Sequence, residues 1–245
     1  MMGLMRMGYS LVSYLLLPFV VGNLLWRSIK APDYRRRIGE RFGYGPVRDT
    51  SKPTIWLHAV SVGEVQAAFP LVQALLGHFP GDQLVMTTVT PTGADRVASL
   101  FGGAVEHCYV PYDTPAAVHR FFQRVDPCVA VILETELWPN LYRECGRRDL
   151  PLVLASARIS PRSVERYRWA KRLIGDALSN GVVIAAQSQE DAERFLSLGA
   201  VPERTWVTGN IKFDIVLDET QQTLGRALRQ QQLAGRPTWI AASTH

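Results

Sequence analysis

Three short segments carry residues whose types and spacing could do chemistry together. They are His58-Ala-Val-Ser-Val-Gly-Glu64, Glu134-Thr-Glu136, and Gly209-Asn-Ile-Lys-Phe-Asp214. Glu64 stands where a strand-to-helix turn ends and a helix begins. A carboxylate there faces the positive end of the helix dipole, which favours its ionised form. Ionised and in a crevice, it would take a proton from an attacking hydroxyl. The same position also suits an acid that merely stabilises its helix. Ser61 is a poor nucleophile candidate, because Ser-Val-Gly-Glu lacks the G-x-S-x-G elbow.

Glu134 and Glu136 lie two apart on an extended segment and so point the same way. Paired acids divide acid and base roles or bind a metal; alternatively one caps the next helix while the other pairs with Arg158 or Lys212. Lys212 would neutralise an anionic substrate group, or simply be solvated. The glycine spacing offers neither G-x-G-x-x-G nor G-x-x-x-x-G-K-[ST], so nicotinamide and P-loop readings are weak. Cys108, Cys128 and Cys145 have no C-x-x-C spacing, which indicates neither a disulfide framework nor a zinc site and suits a reducing cytoplasm.

The elements that must position these residues are legible from Pro53 onward, where short apolar runs alternate with amphipathic stretches. Strands are expected over 54–58, 84–88, 107–110, 129–133, 152–155, 182–186, 205–207 and 239–242. Helices are expected over 64–76, 92–100, 115–124, 137–148, 162–178, 190–198 and 220–232, with Ser188 as a cap and Gly199 as a stop. Continuous apolar strands are those covered on both faces. Regular alternation with helices gives a doubly wound parallel α/β sheet. Such folds hold ligands at the carboxyl ends of the strands, where each of the three segments falls.

Upstream, the 19 residues from Gly8 to Trp26 carry no charge. As a helix they measure roughly 28 Å, near the hydrocarbon thickness of a bilayer. From Arg27 to Arg41 six basic residues face two acidic ones, a net of +4. The positive-inside rule then places the rest of the chain in the cytoplasm. A buried N-terminal helix of the soluble fold is an alternative, and so is a helix lying in the membrane interface, because Ser10, Ser13, Pro18, Gly22 and Asn23 weaken the span. The basic stretch suits an anionic lipid surface in either membrane-bound case. Most of the overall +5 charge resides in that stretch, leaving a nearly neutral body and arguing against a nucleic-acid partner. No obligate protein partner is indicated. The domain reading is a membrane anchor (1–27), a basic juxtamembrane linker (28–53), a Rossmann-like domain (54–215), and a linker with the start of a second domain (216–245).

Taken together, the segments resemble those of the Kdo transferases of Gram-negative bacteria, which add 3-deoxy-D-manno-octulosonic acid to the lipid A precursor. The resemblance rests on Tyr34-Arg-Arg-Arg-Ile-Gly-Glu-Arg-Phe-Gly43, on the Glu64 loop, on Thr87-Thr-Val-Thr-Pro-Thr-Gly93 and Pro111-Tyr-Asp113, on Glu134-Thr-Glu-Leu-Trp-Pro-Asn140, on Ala157-Arg-Ile-Ser160, and on the Lys212 loop. It implies an inverting GT-B glycosyltransferase, with two Rossmann-like domains, a lipid acceptor on the first and the CMP-Kdo donor on the second, and no metal. It further implies that Glu64 is the general base and that Glu134 and Lys212 act near the transferred sugar, with Arg158 a candidate for substrate binding. It implies that the second domain is cut short here and that this stretch alone would be inactive. Another GT-B sugar transferase or epimerase using a UDP-sugar, and a non-catalytic membrane-attached α/β binding module, are the competing readings.

Overall fold

The computed structural model describes residues 2–168, 170–179, 181–214 and 219–233, together with 236, 237 and 239. An N-terminal helix, α1 (Met2–Lys30), precedes an alternating series: β1 (Thr54–His58), α2 (Val62–Ala67), α3 (Phe69–His78), β2 (Gln83–Thr88), α4 (Pro91–Phe101), β3 (Glu106–Tyr109) and α5 (Pro115–Val125). It continues with β4 (Val129–Leu133), α6 (Pro139–Arg147), β5 (Leu152–Ala157), α7 (Pro161–Arg168), α8 (Lys171–Ser179), β6 (Val182–Ala186), α9 (Gln189–Leu198) and β7 (Thr205–Val207). An exposed helix, α10 (Glu219–Gln232), lies beyond. The expected strand over 239–242 falls almost wholly outside the described residues.

All seven strands are parallel, in the order β3-β2-β1-β4-β5-β6-β7. The chain winds outward from β1 to β3, then returns to β4 on the other side of β1. The topological switch therefore lies between β1 and β4, where doubly wound folds open their ligand crevice.

Alternation along β1 divides the core between two layers. Ile55 and Leu57 join Val65, Val72, Leu84, Met86 and Val97 on one face. Trp56 joins Phe121, Phe122, Tyr142, Leu154 and Phe195 on the other. Burying such side chains contributes about 1.5–3 kcal/mol each, the main force closing the sandwich. Trp56 satisfies its indole by donating from Nε1 to Thr87 Oγ1 at 2.9 Å, as a buried Trp must.

Two expected helices are each divided. The 64–76 helix starts earlier and breaks at Ala68, so that Phe69-Pro70 opens α3 with proline in its first turn. The 162–178 helix is two helices, α7 and α8. Ser188 caps α9 by accepting from Asp191 N, and Gly199 ends it at φ +107° with its Cα packed on Gly175, where no side chain fits.

The basic stretch read as a linker is folded against the domain in its second half. Residues 32–42 form two 3-10 turns. Glu40 accepts from Tyr109 N at 2.9 Å. Arg41 is buried, donates from Nη2 to Val89 O at 2.8 Å, and lies 4.2 Å over the Tyr109 ring. A guanidinium stacked on an aromatic and bonded to a carbonyl tolerates burial that a lysine would not.

Candidate active site

Glu64 follows β1 and Glu134 follows β4, so the two acids flank the switch point. Ser61 is the N-cap of α2 and Glu64 its third residue. They form half of a capping box: Glu64 N donates to Ser61 Oγ at 3.4 Å, while Glu64 Oε2 accepts not from the cap residue but from Val60 N, just before it, at 2.7 Å. Ser61 Oγ also donates to Glu64 Oε1 at 3.1 Å. Burial pushes the Glu64 carboxyl above its ordinary value, aided by the negative charges of Glu134 and Glu136 and opposed by the Val60 and Ser61 hydrogen bonds. The expectation that the helix end would favour its ionised form thus meets a stronger effect, desolvation. A carboxylate raised in this way is a better base than an exposed one.

Glu134 and Lys212 meet. Lys212 Nζ lies 2.8 Å from Glu134 Oε1. Of the alternatives open in the sequence, this is the pairing formed; Arg158 is exposed and makes no hydrogen bond or ion pair among the described residues. Glu136 turns elsewhere, accepting from Trp138 Nε1 at 2.5 Å, and burial raises its carboxyl as well. Tyr142 OH donates to Glu136 O at 2.8 Å, fixing the loop from below.

The Glu134–Lys212 pair spans 78 positions and needs support from neighbouring strand ends. Glu134 and Ser156, at the ends of adjacent β4 and β5, both adopt left-handed backbone, at φ +56° and +53°. That conformation strains a residue with a Cβ by of order 1–3 kcal/mol and is held only by surrounding contacts. The contacts are present. Ser156 Oγ accepts from Ile211 N at 3.3 Å and from Gln187 Nε2 at 3.1 Å. Asn210 Nδ2 donates to Gln187 Oε1 at 3.2 Å, and Lys212 N donates to Asn210 Oδ1 at 3.0 Å. Ser156, Gln187 and Asn210 thereby clamp the lysine loop onto the sheet. Sequence reasoning missed this clamp, although each of its members lies within three residues of the carboxyl end of a strand.

His58 closes the floor between them. It is buried, its Nδ1 lies 2.8 Å from Thr87 Oγ1, and burial lowers its pKa to about 4, so it is neutral. Its ring meets Trp138 edge-on at 6.2 Å. No group of three or more His, Cys, Asp or Glu side chains suited to a metal occurs among the described residues.

The half-buried acid, the ion pair and the strand-end clamp all lie within the stretch that matches a family model. The family model for 3-deoxy-D-manno-octulosonic-acid transferase (Kdo transferase) matches residues 36–215. The chain belongs to the Kdo transferase family. It is 40% identical over 241 residues to the 3-deoxy-D-manno-octulosonic acid transferase of Haemophilus influenzae, covering 98% of this chain and 56% of that protein. It is 38% identical over 195 residues to that of Bordetella pertussis, covering 78% and 44%. A probable mitochondrial 3-deoxy-D-manno-octulosonic acid transferase of Arabidopsis thaliana is 30% identical over 243 residues, covering 97% and 54%. The chain spans about half the length of the curated relatives it matches. Among solved structures, a UDP-GlcNAc 2-epimerase from Neisseria meningitidis superposes with a TM-score of 0.52 at 13% identity, over 74% of this chain and 54% of that one. That likeness concerns the fold alone, and it agrees with the GT-B expectation.

Proposed function

We propose that the protein carrying this chain transfers Kdo from CMP-Kdo to a lipid A precursor, with inversion at the anomeric carbon. The observation that carries the reading is the half-buried Glu64 carboxylate at the switch point of the sheet, its pKa raised by desolvation. Glu64 takes the proton of an acceptor hydroxyl as that oxygen bonds to the Kdo anomeric carbon. CMP departs from the opposite face with the electron pair of the broken bond. Lys212 offsets the negative charge of the donor, which carries a sugar carboxylate and a phosphate. Glu134 holds the lysine in place or stabilises positive charge developing at the anomeric carbon. In this reading the cation facing the donor is an ammonium, and no metal is required.

The apolar helix α1 supports a lipid acceptor. It packs beside Asp113 and the first turns of α5 and α6, at the same end of the sheet as Glu64. An acceptor drawn from the cytoplasmic face of an inner membrane would enter there. Incubating a full-length family enzyme of this sequence with CMP-Kdo and a tetra-acylated disaccharide acceptor should add the mass of Kdo to the acceptor. No mass gain with authentic acceptor would overturn the assignment, and turnover of a UDP-sugar instead would favour the competing GT-B reading.

A further inference from the structure

Helix α1 contains the one candidate membrane span among the described residues, over Gly3–Lys30. Its contacts with the domain decide how it can meet a bilayer. One stripe of α1 is polar and docked. The Arg6 guanidinium pairs with the Asp176 carboxylate of α8. Tyr9 OH donates to Asp113 Oδ2 at 2.8 Å, Ser10 Oγ to Asn140 Oδ1 at 2.9 Å, and Ala116 N to Tyr14 OH at 3.1 Å. Positions 6, 10 and 14 are four apart and share one helical face. At the other end Leu24 and Ser28 are buried, and Arg35 Nε donates to Ser28 Oγ at 2.7 Å from the 3-10 turn that leads into the docked Glu40 and Arg41. The first half of α1 is therefore tied to the domain directly, and its end to the turn that follows it.

A perpendicular span is incompatible with these ties. Tyr9 lies 18 residues before Arg27, roughly 27 Å along the axis. With Arg27 at the cytoplasmic surface, Tyr9 would reach the far headgroups, carrying Asp113, Asn140 and Asp176 across the hydrocarbon with it. Charged and hydrogen-bonded surface does not enter that layer. The side of α1 turned away from the domain is apolar and open, with Leu4, Met7, Leu11, Leu15 and Phe19 all exposed.

Cations flank this open face at both ends. Lys171 and Arg172 line a cavity with Met5 near the start of the helix, together with Arg168, which also pairs with Glu165. At its end stand the exposed Arg27 and Lys30, beside Trp26, an aromatic of the kind that settles at headgroup level. We infer that α1 lies in the plane of an anionic bilayer surface, its Leu4–Phe19 side in the acyl boundary and the two cationic clusters on headgroup phosphates. The charge at both ends selects this occupant, since a second copy of α1 would set like charges against each other. The site crevice then opens along the membrane plane, within reach of a lipid acceptor. This inference rests on the proposal that α1 meets a membrane, and its test does not depend on turnover.

The test uses the whole chain with Cys128→Ser, since Cys108 and Cys145 are buried. Single cysteines at Leu4, Leu11 and Phe19 carry a fluorophore, and depth-resolved quenching by spin-labelled lipids is read in vesicles with about a quarter phosphatidylglycerol. All three labels should lie at one shallow depth. Lys30→Ala and Lys171→Ala should each weaken binding to those vesicles about five-fold, and leave binding to pure phosphatidylcholine unchanged. Leu11 near the bilayer centre with Leu4 beyond it would overturn the in-plane helix while leaving membrane attachment intact. Equal binding to both vesicle types would overturn the headgroup contacts. A chain that ignores vesicles, or pairs with a second copy through α1, would overturn the inference together with the membrane proposal.

Discussion

The two acids flanking the switch point are held in opposite ways. Glu64 is fixed locally: every hydrogen bond of its carboxylate comes from Val60 or Ser61, within four positions. Glu134 is fixed from afar, by a lysine 78 positions later, on strained backbone, through a clamp drawn from three further strand ends. A local device needs only its own turn to form. A long-range one needs β4, β5 and β6 in register before its parts meet. Substitutions at Glu64 should therefore change chemistry without changing structure, and substitutions around Glu134 should change both.

The largest effect expected is that of Glu64→Gln. Removing a general base lowers turnover about 10²–10⁴-fold. In a full-length enzyme the variant should keep its fold and its acceptor affinity. More than about a tenth of parental turnover would reduce Glu64 to a helix-stabilising residue and erase the functional half of the comparison. The stability side has a defined sign. The folded-state pKa of Glu64 is raised from 4.5. Its contribution to stability is therefore fully present below 4.5 and is lost as pH rises through the folded value. At neutral pH the Gln variant should be at least as stable as the parent in urea unfolding, and that advantage should shrink as pH falls toward 4.5.

Next in size is the coupling between Glu134 and Lys212. Glu134→Gln, Lys212→Met and the double variant form a cycle on kcat/KM. Two residues acting on one group should show an interaction of about 0.5–3 kcal/mol; additive losses would separate them. Gln187→Leu touches neither residue but unties Asn210 from Ser156. It should lower turnover by less than either single variant. It should also weaken the cycle's coupling, which a purely structural loss of stability would leave unchanged.

How legible each region was follows the same division. Four strands, Thr54–His58, Val129–Leu133, Val182–Ala186 and Thr205–Val207, have the bounds that their apolar runs announce. The capping signals at Ser188 and Gly199 are local chemistry and were readable as such. The break at Ala68 had a local signal as well, since Pro70 cannot sit in a helix interior; the apolar period running on through Phe69 masked it. The burial of Arg41 had no such signal, because a run of arginines looks solvated until Tyr109 and the Val89 carbonyl are brought to it by tertiary structure. The Glu134–Lys212 contact was one of several pairings open to the sequence. Sheet order alone would favour Arg158, whose strand adjoins β4; the bonds through Ser156, Gln187 and Asn210 bring the lysine loop across instead.

A smaller effect separates the two acids electrostatically. The Glu134 charge helps to raise the Glu64 carboxyl. Glu134→Gln removes that charge, so the acid limb of the kcat/KM profile, where Glu64 loses its ionised form, should move to lower pH. Lys212→Met leaves Glu134 charged and unpaired, and should move the limb to higher pH. A limb that stays put in both variants would mean that the titrating base is another group.

The smallest effect expected is that of Ser61→Ala, which probes the local device itself. The serine caps α2 through a long bond to Glu64 N and donates to Glu64 Oε1. Losing an N-cap costs about 0.5–2 kcal/mol. A cap bond of 3.4 Å places this one near the lower end, a fall in melting temperature of roughly 1–3 °C for a chain of this size. The serine hydroxyl also lowers the Glu64 pKa, so its removal should shift the acid limb to higher pH, opposite to Glu134→Gln. Val60 N still holds the other carboxylate oxygen, and the plateau rate should stay within about three-fold of the parent, since one neutral hydrogen bond contributes only about 1 kcal/mol. A ten-fold loss on the plateau would show that Ser61 touches the acceptor rather than only its base, and the local turn would then be a larger part of the site than Glu64 alone.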